Sequence, residues 1–171
     1  MRFNFYTLLL LFAVTLAASC SKSKIEHKSA YDRSYDAWVD FKSKSGNKYK
    51  YTITNSSFSG YSSETTITVD AGKIVGREFI SHMWEQNGQI VQKSKWTEDQ
   101  SALNTHAEGV TPITLDEVYV KAKNEWLLKR GDANVFFEAK NNGMISLAGY
   151  VPIGCQDDCF RGVHIKSIVQ Y

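Results

Sequence analysis

The sequence predicts an α+β domain: an antiparallel sheet of about seven strands with two helices packed on one face, in the order helix, four strands, helix, three strands. Three observations carry this expectation. Aromatic residues recur at helical spacing over residues 30–44, and the spacing changes to strict alternation from Tyr49 onward. Asn87-Gly88 and Asn142-Gly143 supply turn signals between apolar runs, and Thr114 opens a capping box that starts a second helix.

Each element follows in order. Tyr31, Tyr35, Trp38 and Val39 form the apolar stripe of the first helix, and Gly46 and Asn47 end it. Tyr49, Tyr51 and Ile53 then alternate with Lys50, Thr52 and Thr54, the pattern of a half-buried strand. A polar loop over residues 55–63 leads to a threonine-rich strand at 64–69, and Asp70-Ala71-Gly72 turns into a third strand at 73–84. Gln86-Asn87-Gly88 makes a tight hairpin into a fourth strand at 89–96, because Asn-Gly accepts the positive φ that such a turn requires.

Residues 97–112 read as a structureless stretch, open to a role as either linker or binding loop, with Trp96 and His106 its distinctive side chains. The second helix is better marked. Thr114 and Glu117 can each satisfy an orphan amide of the other, Ile113 can staple to Val118, and Lys129 and Arg130 suit the negative end of the dipole before Gly131. Leu115, Val118, Ala122 and Trp126 form its buried stripe. Ala133, Val135 and Phe137 outline a fifth strand, Ile145, Leu147 and Val151 a sixth, and Val163, Ile165 and Val169 a seventh. Both halves begin with a helix and continue in hairpins, which hints at a repeated unit.

Residues 1–19 have the charged start, apolar middle and small-residue exit of a secretory signal, too short to span a bilayer. Residues 20–29, with Lys22, Lys24 and Lys28 among serines, are expected to be a flexible tether, leaving residues 30–171 as one domain. Leu16-Ala17-Ala18-Ser19-Cys20 resembles the processing site of bacterial lipoproteins, which implies acylation of Cys20 and attachment to a membrane surface facing outside the cytoplasm. Ordinary cleavage and soluble secretion is the alternative.

The chain carries three cysteines, and an odd number in an oxidising compartment leaves one thiol unexplained. Lipidation of Cys20 would leave Cys155 and Cys159 to pair with each other across a tight turn. A redox pair, a soft-metal site with His164 and a calcium site using Asp157 and Asp158 are weaker readings of this segment, since spacing and ligand number fall short. A ring closed there would present Asp157, Asp158, Phe160 and Arg161 in fixed relation, a possible recognition loop.

A formal charge of +2 gives no strong field for phosphate, so nucleic acid is not an expected partner. His27, His82, His106 and His164 are scattered, and neither a zinc-protease helix, a serine nucleophile elbow nor a phosphate loop occurs, so no catalytic, metal or cofactor residues are assigned. Asn55-Ser56-Ser57 fits the glycan acceptor pattern, relevant only in a eukaryotic secreted protein.

Trp38 in the first helix, Tyr49 and Tyr51 in the first strand, Val69, Gly72 and Ile74 about the next hairpin, and Thr114 at the second helix together resemble uncharacterised exported domains of bacterial lipoproteins. That resemblance brings no known activity. Members often carry a close cysteine pair after the Tyr-x-Tyr strand, where this chain has residues 58–63 and places its cysteines near the end. The expected function is a small exported binding module for a protein or glycan, with an inhibitor of a secreted enzyme or an extracytoplasmic enzyme as rivals.

Overall fold

The computed structural model describes residues 24–171. The signal at residues 1–19 and the acylation expected at Cys20 lie outside them. Among the described residues, helix α1 spans Lys28–Lys44, followed by strands β1 (Tyr49–Ser56), β2 (Tyr61–Asp70), β3 (Lys73–Trp84) and β4 (Ile90–Asp99). Helix α2 (Leu115–Lys121) continues into a π-helical turn over Ala122–Trp126, and β5 (Ala133–Glu138), β6 (Leu147–Pro152) and β7 (Arg161–Val169) complete the order. The strands form one antiparallel sheet in the order β4-β3-β2-β1-β7-β6-β5. Both meanders therefore cross the sheet in the same sense and meet where β1 pairs with β7.

The helices cover one face because the alternation of β1 demands it. Tyr49, Tyr51 and Ile53 point inward and are buried, together with Ile67 and Val69 of β2. Trp38 is fully buried and packs edge-on against Tyr49 with ring centroids 5.0 Å apart. The Tyr119 hydroxyl joins the layers: it donates to the Ser34 carbonyl of α1 at 2.9 Å and accepts from the Ile145 amide at 3.0 Å. Tyr51 donates to the Ile113 carbonyl, and Tyr49 accepts the Leu115 amide at 2.9 Å, so two strand phenols hold the entrance of α2. The capping box at Thr114 and Glu117 closes in both directions, as its sequence predicts.

Four local details differ from the sequence reading. Residues 24–29 of the expected tether belong to the fold: Ile25 bridges Leu128 and is buried, Lys129 N–H donates to the Lys24 carbonyl at 3.0 Å, and α1 has already begun at Lys28. Val39 lies on the solvent side of α1, and Ser34 takes its place in the buried stripe with Tyr31 and Trp38. Ile145 is buried just before β6 and Ala148 is buried within it, so Leu147 and Val151 turn to the opposite face. In β7 the register against β1 shifts between Thr52 and Ile53, and this bulge sends Ile168 into the core and Val169 outward.

The stretch 97–112 is not structureless. Strand β4 runs on to Asp99, and the segment beyond it folds back over the inner face of β3 and β4, where the helices do not reach. Glu98 organises the turn, accepting from the amides of Asn104 at 2.9 Å and His106 at 2.8 Å. His106 stacks on Trp96 with centroids 4.3 Å apart, and Trp96 stacks in turn on Phe79.

Candidate functional site

Among the described residues, no helix lies over the outer face of the sheet. Its polar side chains cross-link the strands: Thr52 of β1 with Thr66 of β2 at 2.8 Å, and, each across an intervening strand, Lys50 of β1 with Glu78 of β3 at 3.4 Å and Lys166 of β7 with Glu64 of β2 at 2.6 Å. Over β1, β7 and β6 this face dips into a trough made of two adjoining depressions of about 490 Å³ each. Thr54 and His164 line both and form the saddle between them.

One end of the trough is walled by the segment after β6. Cys155 and Cys159 are joined by a disulfide with α-carbons 6.1 Å apart, so the pairing expected from the sequence is made. Asp158, with a positive φ of 47°, turns back toward the body, and its carboxylate accepts the Ser57 hydroxyl at 2.6 Å in the β1–β2 turn. Phe160 lies against Gly149, which pairs with Gly162, and meets His164 edge-on with centroids 4.6 Å apart. A Cβ added at Gly149 would stand 2.3 Å from the Phe160 ring, so only glycine lets the aromatic ring settle onto the sheet.

The four residues expected to form a recognition loop therefore divide. Asp158 is committed to Ser57, Phe160 forms the trough wall, and Asp157 and Arg161 remain exposed. The ring is a fixed edge of a depression and not a free projection.

Lys140 and Glu138, paired at 2.7 Å, stand at the opposite end with Asn141, whose amide donates to the Ile145 and Ile165 carbonyls at 2.9 and 3.1 Å. Partial burial lowers the pKa of His164 below the usual imidazole value, and the nearby Glu138 charge works in the opposite direction. A neutral imidazole offers one donor and one acceptor. Among the described residues the His164 side chain has no hydrogen-bond partner, and it lines both parts of the trough.

The chain has no match. No protein-family model, curated protein or solved structure shows significant similarity to it. Functional assignment therefore rests on the geometry alone.

The trough offers both polar and aromatic contacts. The trough presents the hydroxyls of Thr54, Ser56 and Ser146, the amides of Asn55 and Gln156, one aromatic ring and one neutral imidazole. No Ser, Cys or Asp is hydrogen-bonded to His164 among the described residues, so the arrangement needed to activate a nucleophile is not assembled there. Nor do three His, Cys, Asp or Glu side chains among those residues gather at metal-binding distance.

The trough was not visible in the sequence. His164 and Thr54 are single residues far apart in the chain, brought together only by the β1–β7 pairing. The available signal was Gly149 inside the predicted sixth strand, which marks a close approach of another group.

Proposed function

We propose that this protein is an exported binding module, held at a membrane surface by a lipid on Cys20, and that the trough on its open sheet face receives a hydroxyl-rich ligand of the glycan type. The observation that carries the reading is the saddle at Thr54 and His164, where two depressions join beside the Phe160 ring. Sugars offer apolar C–H faces to an aromatic ring and hydroxyls to short polar side chains, and the trough presents both kinds of partner along one surface.

The cysteine ring contributes preorganisation. By fixing Phe160 before ligand arrives, it removes an ordering cost that a mobile loop would bear on binding. Lys140 and Lys166 at the far end favour a ligand that carries a carboxylate or phosphate there, although Glu138 and Glu64 balance them.

The test is titration of isotopically labelled protein with a panel of neutral and acidic oligosaccharides, followed by amide and imidazole chemical shifts. Binding moves Thr54, Phe160 and His164 signals together, and Phe160→Ala weakens it by at least about tenfold, the loss of one aromatic contact. A panel that binds nowhere, or that perturbs only the helical face, overturns the reading.

A further inference from the structure

The four most exposed large hydrophobic residues among those described are Phe58, Ile90, Ile153 and Trp84, at 90, 68, 65 and 64 % exposure. They come from three different hairpins. Phe58 tops the β1–β2 turn, Trp84 and Ile90 face each other at the mouth of the β3–β4 turn, and Ile153 follows β6. In an antiparallel sheet these three turns lie at the same end, here the end where β5 begins.

The tips are tied into one rim. Asp158 bonds Ser57 next to Phe58, and Trp84 N–H donates to the Gly60 carbonyl at 2.9 Å. Strand twist spreads the rim into a fan, yet no core residue requires these four side chains to be apolar.

The start of the described chain sits at the same end. Lys24 is hydrogen-bonded to Lys129, shortly before β5, and Ile153 N–H donates to the Asp132 carbonyl beside it. Four residue steps separate Lys24 from Cys20. Extended chain spans at most about 3.5 Å per residue, so a lipid on Cys20 would hold Lys24 within about 14 Å of the bilayer.

We propose that the hairpin rim is a second membrane contact, with Phe58, Trp84, Ile90 and Ile153 entering the headgroup region of the bilayer that carries the Cys20 anchor. The proposal rests on the lipid-anchored part of the reading above and is independent of what the trough binds. Aromatic side chains favour this interface because one molecule meets both hydrocarbon and water there. A lipid at one point of the chain holds the domain without orienting it, and an apolar rim at the same end would add a contact that fixes its orientation. Lys24, Lys129, Arg130 and Arg161 at this end stand beside Asp132, Asp157 and Asp158, with Glu85 already paired to Lys93, so salt screens part of the attraction to an anionic surface and leaves the apolar part. The membrane then meets the end of the sheet, and the trough on its face stays open to solvent.

The experiment uses the mature full chain in vesicles of phosphatidylethanolamine and phosphatidylglycerol, with and without bromine on the acyl chains. Intact mass first reports acylation of Cys20. Bromine is expected to quench tryptophan emission in the wild type, and Trp84→Phe to lose most of that quenching, since Trp38 and Trp126 are buried and Trp96 is stacked between Phe79 and His106. Ile90→Ser, which leaves Trp84 in place, is expected to reduce the quenching, and high salt to leave most of it in place. Acylated protein without quenching, or equal quenching in Trp84→Phe and wild type, overturns the rim. An unacylated Cys20 overturns both the rim and the anchor, and the mass measurement separates that failure from the first.

Discussion

Arg77 and Glu98 sit opposite one another in register on β3 and β4 and meet in a two-point ion pair, Nε to Oε2 and Nη2 to Oε1 both at 2.9 Å, with both side chains withdrawn from water. Two further guanidinium N–H groups are used as well. Arg77 donates to the His106 carbonyl at 2.8 Å and the Val110 carbonyl at 3.3 Å, and its guanidinium lies over the Trp96 ring. A pair this satisfied is costly to break by halves. Glu98→Gln leaves a buried guanidinium without its counter-charge and should lower unfolding free energy by about 3–5 kcal/mol in urea titrations. Amide exchange should accelerate first at residues 104 and 106, and an unchanged urea midpoint would show that the pair contributes nothing.

The same pair sets a response to acid. The Arg77 guanidinium holds the Glu98 carboxyl well below the usual carboxylate range, burial opposes it, and the amides of His106 and Asn104 add to the lowering. A carboxyl whose folded pKa is depressed stabilises the fold above its unfolded value, near pH 4.3, and that contribution is lost as pH falls toward the folded value. Stability should therefore decline below about pH 4 in the wild type and much less in a Glu98→Gln background. Parallel acid profiles for the two proteins would refute this account.

Gly149 is a position where a small substitution reaches the trough wall directly. A methyl group there would meet both the Phe160 ring and the Arg161 carbonyl, at 2.3 and 2.6 Å. Gly149→Ala should leave the helical core intact and displace Phe160 from the sheet. The readout is the His164 ring proton signal, which loses the ring-current shift imposed by Phe160 at 4.6 Å. An unaltered His164 spectrum would mean that the ring is not seated as described.

The disulfide between Cys155 and Cys159 closes a ring of a few residues, for which the chain-entropy relation gives about 2 kcal/mol. Reduction should add two hydrogens by mass, lower stability by roughly that amount, and cost more in ligand affinity than in fold, because the wall of the trough is what loosens. Equal affinity in oxidised protein and in a Cys155→Ser/Cys159→Ser variant would remove the ring from the binding role.

Much of the architecture was legible because each element carried its own local chemistry. Thr114 with Glu117, the alternation of Tyr49, Tyr51 and Ile53, and the Asn-Gly turns all act within a few residues, and the sheet follows from them. The inward turn of Arg77 and Glu98 was harder to read. Both are charged residues that sequence reasoning assigns to solvent, and only their phase with Phe79 and Trp96 on the same strands gave a clue. Without that pair the stretch after Trp96 looked empty of structure. The trough depends on β1 meeting β7, a contact between residues more than a hundred positions apart, and no local pattern encodes it.

The two phenols beneath α2 offer a comparison of donor and acceptor. Burial pushes the Tyr49 and Tyr51 hydroxyls well above the usual phenol range and Tyr31 up to about 12, so all three are neutral in the fold. With folded values raised above an unfolded value near 10, stability is complete below that pH and is lost as pH rises through the folded values. Tyrosinate absorbance from these residues should thus appear only with alkaline unfolding. Tyr49→Phe deprives the Leu115 amide of its acceptor, whereas Tyr51→Phe deprives the Ile113 carbonyl of a donor. A buried amide has a single proton to place and is rarely left orphaned, while a carbonyl with two lone pairs tolerates under-satisfaction. Tyr49→Phe should therefore cost about 1–3 kcal/mol and Tyr51→Phe about 1 kcal/mol in denaturant titration. The reverse order would show that the Tyr51 hydroxyl, and not that of Tyr49, secures the entrance to α2.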